Sequence, residues 1–141
     1  MIYKAIQGLP QAHARIKGSK EYPDIRGNVY LYEVYNGTVL LGELMGIPEE
    51  LEKKYGGFLG FHIHEGNACT GDSQDPFADT KGHYNPEKEE HPRHAGDLPP
   101  VLSNDGTAWM EIYTGRFYPM DVVGRTIVLH EMPDDFKTQP S

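Results

Sequence analysis

The chain has 141 residues, with 13 Lys and Arg against 21 Asp and Glu, for a formal net charge of −8. That acidic balance lacks the basic footprint of a nucleic-acid binder, and no apolar run approaches the roughly 20 residues needed to cross a bilayer. The opening stretch, MIYKAIQGLPQAHARIKG, has no apolar segment of the kind a secretory signal carries, which makes a cytoplasmic location the expectation.

The length suits one domain over residues 1–141, large enough to close a core without a disulfide framework. IRGNVYLYEV alternates with period two and predicts a strand, with Val29 and Leu31 on one face and Tyr30 and Tyr32 on the other. Asn36-Gly37 then marks a hairpin turn, and TVLLGELMGI is the return strand. IPEELEKKYGG predicts a helical turn and a charged loop, and GGFLGFHIHE a third strand. From Glu65 to Pro100 the sequence is polar, rich in Gly, Pro, Asp and His, and without period. An irregular segment of that length in a small domain is functional or disordered. VLSNDGTAWMEIYT carries an Asp105-Gly106 turn opening a strand, VVGRTIVLHE is a further strand, and MPDDFKTQPS is loop-like. The 16 Gly and 11 Pro fall between these runs, so the class is all-β, a sandwich or barrel.

Cys69 is the single cysteine, whereas histidine occurs seven times. In Gly60-Phe61-His62-Ile63-His64 the two histidines project to one side, with Leu59, Phe61 and Ile63 on the other. Alone, that pair reads either as two surface histidines or as two ligands of one metal. Residues 83–97 add His83, His91, His94 and Asp97, an N/O set that tetrahedral zinc accepts. Ligation there would offset the loop's conformational entropy. His130 ends the last strand, opposite the buried face made by Ile127 and Leu129, and reads as structural or as a ligand. Asp134 and Asp135 are close enough in sequence to accept a hydrogen bond from a ligating imidazole. His13 reads as a surface or first-strand residue.

The segments GFHIHE, GHYNP, HPRHAGD and GRTIVLHE, in that order, resemble the copper/zinc superoxide dismutases, in a bacterial-type and C-terminally short form, from about residue 30 to residue 141. The resemblance implies an immunoglobulin-like Greek-key β-sandwich or barrel with a metal-binding loop over about residues 65–100. It implies copper on His62, His64, His83 and His130, and zinc on His83, His91, His94 and Asp97. His83 would then be an imidazolate shared by both ions, and Asp134 a carboxylate linking His62 to His91. The implied reaction is dismutation of superoxide to dioxygen and hydrogen peroxide, with superoxide the small-molecule partner and a homodimer the assembly.

The sequence also departs from the family pattern. It stops at Ser141, before the family's glycine-rich turn, active-site arginine, second cysteine and closing strand. The expectation is therefore a fold short of its last strand, a Cys69 without its usual partner, and reduced activity. Arg125 matches a structural strand-start arginine rather than the missing one. The alternative function is a catalytically weak or silent copper/zinc-holding or delivery protein. A zinc hydrolase and a copper-only relative rank below it, because the bridging histidine fills the open zinc position and the zinc set is complete.

Overall fold

The computed structural model describes residues 2–137, so the last four positions of the expected terminal loop, 138–141, lie outside the described residues. A one-turn helix α1 (Ile2–Ala5) precedes strand β1 (Ala12–Lys17), which takes up the sequence ahead of the first expected strand. Strands β2 (Arg26–Val34) and β3 (Gly37–Met45) form the expected hairpin. The turn lies one residue earlier than Asn36-Gly37: Val34 faces Gly37, so Tyr35 and Asn36 are the loop residues. Asn36 sits at φ 63°, a left-handed conformation that Asn tolerates better than most side chains.

Helix α2 (Glu49–Tyr55) is nearly two turns long, with Glu49, Glu50 and Glu52 at its positive end and Lys53 and Lys54 at its negative end. Gly56, at φ 66°, closes it in the left-handed conformation that glycine adopts without steric cost. Leu51 is its buried residue, and Glu52 reaches out to the Ser103 hydroxyl and the Gly106 backbone N–H. The remaining strands are β4 (Phe58–Leu59), β5 (Phe61–His64), β6 (Val101–Asn104), β7 (Thr107–Thr114) and β8 (Thr126–Leu129). Asp105 and Gly106, at φ 51° and 82°, make the β6–β7 turn where the sequence places it.

Six strands form one antiparallel sheet in the order β1-β2-β3-β7-β6-β4, and β5 and β8 form a second, two-stranded sheet. The architecture is a β-sandwich; among the described residues the pairings do not close a barrel. GGFLGFHIHE is not one strand. It breaks at Gly60, so that β4 pairs with β6 in the large sheet and β5 with β8 in the small one. The chain changes sheets at this glycine.

The core lies between the layers. Val29, Leu31, Leu40 and Leu44 face it from the large sheet, and Leu59, Phe61 and Ile63 from the strands around the switch. Burying each such side chain stabilises by about 1.5–3 kcal/mol. Phe61 packs over Gly42, where an added Cβ would lie 4.0 Å from the ring. Residues 65–100 carry one 3-10 turn, Ala78–Thr80, and fold back onto β5. Ile63 N–H donates to Gly96 O at 2.9 Å, and Tyr84 N–H donates to Ile63 O at 2.8 Å. Isolated bridges join His62 to Asp97 and His64 to His83. The loop thus covers the histidine-bearing side of β5.

Candidate metal centre

Period-two alternation on β5 turns Phe61 and Ile63 into the core and His62 and His64 toward the loop. Both histidines are buried all the same, because residues 82–84 and 96–97 lie across them. His130 enters from just beyond β8, its N–H donating to Gly60 O at 2.8 Å, while Gly60 N–H donates to Met132 O at 2.9 Å. Gly60 allows this approach: a Cβ there would lie 3.3 Å from His62 Cε1 and 3.5 Å from His130 Cβ.

The structure brings all the sequence-predicted ligands together. His62, His64, His83 and His130 form one group, and His83, His91, His94 and Asp97 a second; within each, one ligand atom per residue lies within 4.8 Å of all the others. A third group, His62, His91 and Asp134, links the two. His83 belongs to both larger groups, its ring centroid 4.1 Å from that of His62 and 5.3 Å from that of His94.

Hydrogen bonds orient several of these rings. His62 Nε2–H donates to Asp134 Oδ2 at 2.6 Å, and His91 Nε2–H to Asp134 Oδ1 at 2.7 Å. One carboxylate therefore spans both groups. His64 Nδ1–H donates to Lys81 O at 2.8 Å, and its Nε2 lies 3.4 Å from His130 Nε2. His83 Nδ1 lies 2.7 Å from Asp97 Oδ1 and 3.3 Å from His94 Nδ1, while His91 Nδ1 lies 3.1 Å from Asp97 Oδ2. Asp97 Oδ2 also accepts the His94 backbone N–H at 2.9 Å. His13 stands apart in β1, at 2.8 Å from Asn28 Oδ1 and stacked on Tyr30.

The donor set fits metal ions. His62 Nδ1 is buried with no hydrogen-bond partner among the described residues, although its other nitrogen is held by a carboxylate. A buried polar atom left bare is costly, and an imidazole oriented by a carboxylate with its second nitrogen free is what a metal ligand requires. Protonation is arranged to match. Burial lowers the His64 pKa to about 4 and, with the neighbouring His62, His64 and His83, that of His130 to about 3. Burial and His83 lower that of His62, against the pull of Asp134. Burial also disfavours a proton on His91, but Asp134 and Asp97 outweigh it and raise its pKa. The same contacts, against the cost of burial, hold the Asp97 and Asp134 carboxyls below their ordinary range.

Two parts of the site carry no sequence signal of the usual kind. The Lys81 carbonyl that orients His64 is a backbone group, indifferent to residue type. Arg116, beyond β7, donates to Pro92 O and His94 O at 2.9 Å each. Arg125, which the sequence reading treats as structural, lies over the Tyr84 ring and donates to Glu65 O at 3.2 Å.

A β-sandwich with two histidine-rich groups sharing one imidazole defines a class of metal-binding β-protein, and sequence comparison identifies the family. The family model described as copper/zinc superoxide dismutase (SODC) matches residues 25–141, and the chain belongs to that family. Copper and zinc are the family's metals. The chain is also similar to an extracellular superoxide dismutase [Cu-Zn] of Brugia pahangi, at 29% identity over 122 residues. That match covers 79% of this chain and 56% of the relative, so the chain spans little more than half the relative's length. No helix among the described residues is long and apolar enough to cross a membrane.

Proposed function

We propose that this protein dismutates superoxide to dioxygen and hydrogen peroxide, with copper on His62, His64, His83 and His130 and zinc on His83, His91, His94 and Asp97. The observation that carries the reading is His83, common to two groups that each have a complete ligand set. A bound copper ion supplies the one-electron couple that oxidises one superoxide and reduces the next, whereas zinc has no redox chemistry.

The protein's part is to hold donors and move protons. Asp134 aims His62 Nδ1 and fixes the ring of His91, and Lys81 O leaves His64 Nε2 as the donor. His83 Nδ1 lies with Asp97 and His94, which leaves Nε2 for the other group. With both groups loaded, His83 would be held as the anion, because neighbouring cations stabilise it. Its Nε2 would be the atom at which this chain holds a proton and hands it to the product. The protons now shared among Asp97 and the histidine Nδ1 atoms would be displaced on metal loading, so uptake releases protons.

Cell fractionation decides between the cytoplasmic location expected above and an extracellular one, the setting named for the Brugia pahangi relative. For the activity, the copper- and zinc-loaded chain is assayed for superoxide consumption beside a His83→Ala variant. Activity is expected in the wild type and its loss in the variant. Full activity and undiminished copper binding in His83→Ala would remove the shared-imidazolate assignment.

A further inference from the structure

We infer that Arg116 is a positioning residue that holds the His91–His94 segment in its metal-binding shape and so sets how slowly zinc leaves. The inference rests on the zinc assignment proposed above. The segment His91-Pro92-Arg93-His94 supplies two of the four donors of that group. It belongs to no strand or helix, so its carbonyls need partners from outside the regular ladders.

Arg116 provides one for Pro92 O and a second for His94 O, which also accepts the Asp97 N–H at 3.0 Å. The two hydrogens of Nη1 go to Pro92 O and His94 O, each at 2.9 Å, so one guanidinium nitrogen grips both sides of the turn between the two ligands. Bonds from a charged donor are about twice as strong as neutral ones. The grip matters because its base is fixed. Thr114, two residues before Arg116, is paired with Thr38 at the end of β7. Phe117, one residue after it, is buried, and its carbonyl accepts the buried Thr38 hydroxyl at 2.7 Å. Both neighbours of Arg116 are thereby tied to β3, and the guanidinium passes that order to an irregular loop.

The other arginine of the region makes a contrast. Arg93, inside the segment, pairs with Glu89 at 3.1 Å on the surface and stays within the loop. Such an exposed pair contributes little. Three of the copper-side donors have different supports, His62 and His64 on β5 and His130 latched to Gly60, and the fourth, His83, is joined to β5 by its bridge to His64. Loss of Arg116 is therefore felt on the zinc side first.

The test measures metal release from the loaded chain of residues 1–141 to a chromophoric chelator, zinc and copper separately. In Arg116→Met, which keeps the apolar stem and removes both donors, zinc leaves about 10-fold faster or more. Copper leaves at the wild-type rate, and Arg93→Ala releases zinc within about threefold of wild type. Should Arg116→Met fail to fold, Arg116→Gln, shorter and uncharged, carries the same comparison with the same expected direction. Zinc release at the wild-type rate, equal acceleration by Arg93→Ala, or equal acceleration of copper would each overturn the inference. A wild-type chain that takes up no zinc would instead overturn the metal assignment, and this inference with it.

Discussion

Asp134 ties the chemistry together, because its two oxygens accept from His62 and His91, one residue of each metal group. Replacing it with Asn leaves one accepting oxygen where two are used. Asp134→Asn should weaken metal binding by about 10–100-fold, read by competition with a chelator of known affinity. Unchanged affinity would show that packing alone orients the two rings. At this scale the sequence is informative about identity: alternation alone puts His62 and His64 on one face, and Asp134 stands within four residues of His130. What it hides is tautomer and aim, because the Lys81 carbonyl and the two carbonyls held by Arg116 belong to the backbone. Any residue type would supply those oxygens.

Gly60 shows how an element can be read correctly and still be misjoined. GGFLGFHIHE keeps a strand pattern through the glycine, and nothing local says that Leu59 pairs with Val101 while Phe61 pairs with Leu129. Partner choice is settled by long-range packing. The hairpin turns are more legible, since Asn36, Asp105 and Gly106 carry positive φ for reasons intrinsic to those residues. The 65–100 loop shows no period because its order comes from bridges to β5, from irregular backbone bonds and from side chains bonded to its carbonyls. Gly60→Val is the matching test at this scale. Its branches would press on His62, His130 and the Met132 carbonyl, all within 3.5 Å of a modest Cβ. We expect a stability loss of about 1–3 kcal/mol by urea unfolding, with weakened copper uptake. A variant as stable as wild type would mean that the β4–β5 switch has slack.

At the scale of the whole molecule, charge sets both stability and the arrival of substrate. His64 and His130 titrate at about 4 and about 3 in the folded chain against an ordinary 6.5, and His62 is lowered too. An unfolded chain therefore binds more protons than the folded one just below pH 6.5, so stability rises with pH across that window. His91, whose pKa is raised, has the opposite sign: its contribution is present below 6.5 and lost as pH climbs through its folded value. Three lowered histidines outweigh one raised. Asp97 and Asp134 add stability that disappears as pH falls below the ordinary 3.8. Metal-free protein should consequently unfold in less urea at pH 4.5 than at pH 7; equal midpoints would contradict the histidine shifts. The net charge of −8 repels an anion, so the rate of the proposed dismutation should hold steady or rise as added salt screens it. A rate that falls steeply with salt would instead reveal a local positive funnel over the site.

The central claim is that the two histidine groups form one copper- and zinc-dependent superoxide dismutase centre, and the rate of superoxide consumption by the loaded chain through a cycle of chelation and reloading tests it most directly. Activity well above that of the metal-free protein is expected, abolished by the chelator, restored by copper with zinc, and not restored by zinc alone. A chain that binds one copper at its histidines yet consumes superoxide no faster than its metal-free form would contradict it.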